Sequence, residues 1–208
     1  MDKDKISSST VKRLSLYLDY LRGLYQQGTT TVSSQELAAH FLINPAQIRK
    51  DLSSFGQFGK RGEGYSVEAL TWQIAEILGI DKPRKVILIG AGNLGAALLA
   101  YQGFEAQGFQ LLAAIDADQR KIGTSISGIP CYAIDRLPAL VKTEGIKMAI
   151  LTTPSAAAQE ITDQLVAAGI KAILNFSAVP LTVPTDVRVV SIDLASKLKT
   201  LSYFLGQG

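Results

Sequence analysis

The pattern of apolar and polar positions changes near residue 80. Before it, apolar residues recur at helical spacing with turn clusters between them. After it, short Val, Ile, Leu and Ala runs alternate with helical segments, the pattern of βαβ units around a parallel sheet. Val11, Leu14, Leu18 and Leu21 share one face and predict a helix over about residues 9–26, ended by Gly28-Thr29-Thr30. Ser33 stands three residues before Glu36, the spacing of a capping box, and opens a short helix with Leu37, Ala38 and Phe41 inward. Asn44 and Pro45 start another: Asn44 can accept backbone N–H bonds, and proline at the first helical position loses no needed donor. Ile48, Leu52 and Phe55 form its buried stripe, while Gln47, Arg49, Lys50 and Ser53 lie opposite.

Four glycines fall between positions 56 and 64, which excludes a helix and predicts a tight hairpin with Lys60 and Arg61 at its tip. A helix over Val67 to Leu78 follows, with Leu70, Ile74 and Ile77 on one side. Asp81-Lys82-Pro83 is the expected domain junction. Two short helices followed by a glycine-rich basic hairpin make the winged helix-turn-helix plan. Its second helix would offer Gln47, Arg49, Lys50 and Ser53 to base edges and phosphates of duplex DNA. Lys60 and Arg61 would meet phosphates or a narrow minor groove. The competing reading is a small helical domain with a solvated basic face.

Beyond the junction, Lys85 to Ile89 reads as a buried strand running into Gly90-Ala91-Gly92-Asn93-Leu94-Gly95, with a helix after it. G-x-G-x-x-G between strand and helix is the dinucleotide fingerprint: tight turn, close approach to a pyrophosphate, close helix–strand packing. The second strand, Leu111 to Ile115, ends at Asp116, placed to take the adenosine ribose hydroxyls and to repel a 2′-phosphate. NAD(H) is therefore favoured over NADP(H), although Arg120 and Lys121 lie close. The alternative is a structural glycine turn with an incidental Asp. Met148 to Leu151 ends in Thr152-Thr153-Pro154, and Ala172 to Leu174 ends in Asn175-Phe176. Loops at these strand ends are candidates around the nicotinamide half. The tail from Asp193 to Leu205 is amphipathic, with Leu194, Leu198, Leu201 and Leu205 on one face and Tyr203 and Phe204 adjacent. Such a helix packs on its own domain or on another subunit.

Composition narrows the class. The 208 residues are 47% apolar and 19% charged, enough to build a core, so wholesale disorder is excluded. One cysteine, Cys131, excludes a disulfide scaffold. With His40 the only histidine, the chain argues against a zinc site and leaves a triad a single candidate base. The polar start carries no signal-peptide pattern and no run reaches a membrane span, so a cytoplasmic protein with no membrane partner is expected. The net charge of +3 becomes informative once divided. Residues 1–64 hold nine Lys/Arg against six Asp/Glu, and residues 65–208 hold twelve of each, so the whole excess lies in the DNA-binding candidate.

The chain resembles the Rex family of redox-sensing transcriptional repressors over nearly its whole length. Ser33 to Ala38, Pro45 to Ser53, Phe58 to Gly62, Gly92 to Gly95, Ile173 to Phe176 and Leu201 to Phe204 carry the resemblance. It implies an α/β protein with an N-terminal winged helix-turn-helix domain (1–80), a C-terminal Rossmann-like parallel-sheet domain (81–192) and a domain-swapped dimerisation helix (193–208). It further implies a homodimer that binds operator DNA when free or NAD-bound and releases it when NADH binds, with no catalytic residues. The cofactor residues are then Gly90, Ala91, Gly92, Asn93, Leu94, Gly95, Asp116, Thr152, Thr153, Pro154, Asn175 and Phe176. The DNA residues are Ser33, Gln47, Arg49, Lys50, Ser53, Gly59, Lys60 and Arg61. The interdomain and dimer residues are Asp19, Tyr101, Asp193, Leu198, Tyr203 and Phe204. One departure stands out: Asp19 occupies the place of a family Arg whose partner corresponds to Asp193, so like charges replace an ion pair. A small NAD-dependent dehydrogenase, or a nucleotide-binding scaffold without DNA contact, is the competing function.

Overall fold

A computed structural model of the chain describes residues 6–59 and 63–205. It contains two compact units, Met1–Lys82 and Pro83–Gly208, divided within the Asp81-Lys82-Pro83 segment.

The first unit opens with α1 (Ser8–Gln26), whose N-cap Ser7 accepts from the Thr10 N–H. Leu14, Leu18 and Leu21 are buried on its inner face; Val11 is exposed, and Tyr17 takes the place expected of it in the core. Strand β1 (Thr31–Val32) precedes α2 (Ser34–Phe41). The capping box forms: the Glu36 N–H donates to Ser33 Oγ at 3.1 Å, and the Ser33 N–H donates to the Glu36 carboxylate at 2.7 Å. The Ser33 backbone N–H, and with it the Ser33 hydroxyl, holds the Glu36 carboxyl below its ordinary pKa. Asn44 Oδ1 accepts from the Ala46 N–H at the head of α3 (Pro45–Ser53). Strand β2 (Tyr65–Ser66) leads into α4 (Val67–Leu78), closed by Gly79 in the left-handed region. Leu14, Leu18, Leu21, Leu37, Ile48, Leu52, Leu70 and Ile74 fill the core between these helices.

Strand β2 pairs antiparallel with β1, Val32 facing Tyr65, so a partner of β2 lies ahead of α2. Gly59 and Gly64 both have positive φ, and a Cβ on Gly59 would strike the Gly64 carbonyl. Lys60 and Arg61, the expected tip, lie outside the described residues.

The second unit is a seven-stranded sheet. In chain order it contains β3 (Arg84–Ile89), α5 (Asn93–Leu99), α6 (Gly103–Ala106), β4 (Phe109–Ile115), β5 (Ser125–Ile126) and β6 (Ile129–Tyr132). Then come α7 (Leu137–Glu144), β7 (Met148–Leu151), α8 (Ser155–Ala168), β8 (Ala172–Asn175), β9 (Arg188–Ser191) and α9 (Leu194–Leu205). The spatial order is β5-β6-β4-β3-β7-β8-β9. All neighbours are parallel except β5 and β6, joined by Ser127-Gly128 with both φ positive, the two-residue hairpin geometry. Both faces are buried, as parallel sheets require. Ile87 and Ile89 enter the core with Ala149, Leu165 and Ile173, while Val86 and Leu88 enter the other with Leu99 and Cys131. The whole is a winged helix-turn-helix unit plus a Rossmann-like α/β unit, as the sequence pattern predicts.

Helix α9 buries none of its residues within the chain; Leu194, Leu198, Leu201, Tyr203, Phe204 and Leu205 are exposed. Among the described residues, no helix is long and apolar enough to cross a membrane.

Candidate functional site

The chain leaves β3 on one side for β4 and returns on the other for β7, so the strand order reverses between β3 and β7. Ligands of open α/β sheets bind at the carboxyl ends of strands at such a switch point. Here that point brings together Gly90 to Gly95 after β3, Asp116 after β4 and Thr152 to Pro154 after β7.

Each glycine of the loop has its own reason. Gly90 has φ +94, and a Cβ there would lie 3.0 Å from the Thr152 carbonyl. A Cβ on Gly95 would collide with the Gly90 carbonyl oxygen, so only glycine lets α5 sit this close to β3. A Cβ on Gly92 would meet nothing within 4 Å: space stands open in front of that backbone. Thr152 Oγ1 donates to the carbonyls of Ile89 (3.0 Å) and Gly90 (2.6 Å), stapling β7 to the loop. Thr153 Oγ1 is buried without a hydrogen-bond partner among the described residues. An unpaired buried hydroxyl is costly and suits a site completed by a ligand. Asn93 and Leu94 are exposed at the start of α5, Ala91 is buried, and Pro154 is exposed ahead of α8.

Asp116 is bound to the loop itself. Its Oδ2 accepts from the Ala91 N–H at 2.7 Å and from Lys121 Nζ at 3.1 Å, and its Oδ1 accepts from the Asp118 N–H. Lys121 Nζ also donates to the Ala91 carbonyl at 2.9 Å. Burial works to raise the Asp116 pKa, but the bonds from Asp118, Lys121 and Ala91 outweigh it and hold the carboxyl below its ordinary range. Lys121, suspected of weakening the NAD(H) preference, thus serves the carboxylate; Arg120 is turned to Asp118 instead. The Asn175 amide is buried and fully used: Nδ2 donates to Val179 O and Ser191 Oγ, and Oδ1 accepts from the Ser177 N–H and hydroxyl. The side chain is spent on shaping the loop that carries half-buried Phe176.

In the first unit, a groove of about 850 Å³ is lined by Ser33, Arg49, Ser53 and Gly59, four of the residues expected at DNA. Arg49 donates to Ser34 Oγ at 3.1 Å and is otherwise exposed. Ser53 Oγ donates to the Lys50 carbonyl, and the Lys50 side chain is exposed. Gln47 lies at the N-terminal turn of α3, with Nε2 donating to Asp51 Oδ1 at 2.8 Å.

Sequence reasoning missed Asp51. It is 1% exposed, and Arg13 grips it through Nε and Nη2, both at 2.6 Å, with the Tyr17 hydroxyl donating at 2.9 Å. Burial opposes its charge, yet the bonds from Arg13, Tyr17 and Gln47 keep its pKa below the ordinary value. The available signal was the i,i+4 spacing of Arg13 and Tyr17 on one helix and of Gln47 and Asp51 on another.

Of the expected interdomain and dimer residues, Asp19 is exposed on α1 and Tyr101 is exposed, edge-on to Phe104. Asp193 caps α9 by accepting from the Ser196 N–H. Leu198, Tyr203 and Phe204 are exposed on α9, the two rings edge-on to each other.

Comparison with known proteins covers both units. Residues 81–179 match the family model described as "CoA binding domain", and residues 5–53 the model described as "Putative DNA-binding protein N-terminus". The redox-sensing transcriptional repressor Rex of Syntrophomonas wolfei is 46% identical, over 97% of this chain and 96% of its own. That of Leuconostoc citreum is also 46% identical, over 97% and 93%. Among solved structures, RSP in complex with beta-NAD+ and operator DNA superposes with a TM-score of 0.91 at 39% identity, over 97% of this chain and 93% of that one. RSP in complex with beta-NADH gives 0.86 at 36% identity, over 98% and 95%. With winged helix, glycine loop and switch point in one chain, and relatives matching both units from end to end, the protein belongs to the Rex family of redox-sensing transcriptional repressors.

Proposed function

We propose that this protein binds operator DNA as a homodimer and releases it when NADH binds, so that transcription follows the NADH/NAD ratio of the cytoplasm. The observation that carries the reading is a glycine loop at a sheet switch point, open in front of Gly92 and next to an unpaired buried Thr153 hydroxyl, in one chain with a winged helix. Gly90 to Gly95 hold the pyrophosphate, Asp116 takes the adenosine ribose hydroxyls, and Thr152, Thr153, Pro154 and Phe176 surround the nicotinamide half. CoA and NAD share an adenosine and a pyrophosphate, so the loop chemistry suits either; NAD(H) is preferred because RSP, similar over both units, is known with both of its redox forms.

The nucleotide, when bound, supplies a nicotinamide ring that is cationic when oxidised and neutral when reduced. A ring surrounded by Phe176 and apolar subunit surface favours the neutral form, because burying a charge costs free energy. The two redox forms then differ in affinity for the DNA-competent and released dimers, without which no ratio could be sensed. Residues 1–80 read DNA, 81–192 bind nucleotide, and 193–208 exchange between subunits, covering the apolar face of α9. Ser33, Gln47, Arg49, Lys50, Ser53, Gly59, Lys60 and Arg61 contact the duplex.

The protein turns over no substrate in this reading. His40, the only histidine, is stacked on Tyr20 at 3.8 Å in the first unit, and the titratable pair beside the glycine loop, Asp116 and Lys121, is bonded to the loop itself. The test is operator binding titrated with NADH and with NAD at fixed salt. NADH should weaken binding and NAD should leave it standing; equal effects of the two overturn the reading.

A further inference from the structure

Gln47 has an amide whose orientation is settled by chemistry. Asp51 Oδ1 faces it at 2.8 Å, and an ionised carboxylate only accepts hydrogen bonds. The Gln47 nitrogen must therefore face Asp51 with one of its two hydrogens, which fixes Oε1, with the second N–H beside it, as what the amide still has to offer. Among the described residues, no group donates to Oε1. Asp51 cannot yield easily: Arg13 holds both its oxygens, and Tyr17 adds a third donor from α1. Thus a buried anchor on the inner side of α3 dictates the polarity of a half-exposed amide in the first turn of that helix, where residues of such helices reach base edges.

We propose that Asp51 is a positioning residue for base reading: by holding the Gln47 nitrogen it leaves Oε1 as the acceptor offered to the major groove, selecting a base that presents an exocyclic amine there, adenine N6 or cytosine N4. Guanine and thymine present no donor to Oε1 in the major groove and forgo that bond, which disfavours them. The inference rests on α3 being the DNA-reading helix and adds which chemistry one of its residues selects.

The experiment is selection of bound duplexes from a random-sequence pool by the full-length protein, followed by sequencing, for the native chain, Gln47→Ala and Asp51→Asn. The native profile should contain, in each half-site, a position enriched about tenfold in adenine or cytosine. Gln47→Ala should flatten that position and leave the others. Asp51→Asn has an amide that donates as well as accepts, so Gln47 can turn over; the same position should then admit guanine or thymine, with the preference falling roughly tenfold. A purely structural Asp51 would lower binding at every position alike, and that result, or an unchanged profile in either variant, overturns the proposal. Should Asp51→Asn fail to fold, the native protein is measured on a selected duplex lacking that one amine (purine for adenine, pyrimidinone for cytosine). A fall of about tenfold supports the proposal, and unchanged binding overturns it. A native chain that enriches no sequence overturns the DNA-reading role of α3 itself, a failure separate from that of Gln47 polarity.

Discussion

Substituting Gly92 by alanine separates the fold from the nucleotide site. Gly92 has φ −70 and ψ −163, a backbone region open to any L-residue, and an added Cβ would touch nothing within 4 Å. The fold therefore has no reason to resist the change. Removing a glycine from the unfolded ensemble should raise stability by roughly 0.4–1 kcal/mol. The same methyl stands in the space by which a pyrophosphate approaches the loop backbone. A charge-assisted hydrogen bond contributes about 1.5–3 kcal/mol, so forcing the phosphate back far enough to lose one should weaken NADH binding about tenfold or more. Urea melts of the ligand-free protein and titration of NADH fluorescence read the two effects separately. NADH affinity within twofold of the native value would refute Gly92 as part of the phosphate cradle. A ligand-free protein destabilised by more than about 1 kcal/mol would refute the open space in front of it.

Gly95→Ala should behave oppositely, losing roughly 1–3 kcal/mol in urea melts without ligand, because its Cβ strikes the Gly90 carbonyl, and backbone cannot rotate aside. Asp51→Asn should lower stability at pH 7 by about 1–2 kcal/mol, a value discounted because Arg13 is partly exposed. The Asp51 pKa is depressed in the fold, so its contribution is complete above the unfolded value of 3.8 and is lost as pH falls through the lower folded value; the native and variant melting curves should converge in that window. Asp116→Asn should weaken NADH binding and narrow the preference for NADH over NADPH by about tenfold in fluorescence titrations, with an unchanged ratio counting against its ribose role. A chain ending at Asp193 should sediment as a monomer, since the apolar face of α9 is what the subunits share in the proposed dimer.

Much of the fold was legible because it is written in local spacing. Ser33 and Glu36 cap a helix from three residues apart, Asn44 and Pro45 start one, and glycines 90, 92 and 95 follow a strand directly. Each is a hydrogen-bonding or steric demand met by near neighbours in the chain, so the residues alone announce it. The division of charge between the halves was equally plain. Composition and spacing thus pointed to the two-part α/β architecture and to the glycine loop between strand and helix.

What spacing could not reveal depends on segments that are distant along the chain. A partner of β2 lies ahead of α2, because two-residue strands carry too little pattern to declare their pairing. The strand order that creates the switch point follows from how the helices cross the sheet. The bonds that Ser177, Val179 and Ser191 make with the Asn175 amide close only in the fold. Arg13 and Asp51 are separated by 38 residues, and only the packing of α1 against α3 makes them an ion pair. The sequence by itself determined which side chains could do chemistry. The tertiary structure decided which of their polar atoms were already spent, because a buried donor or acceptor must find its partner wherever the fold brings one within reach.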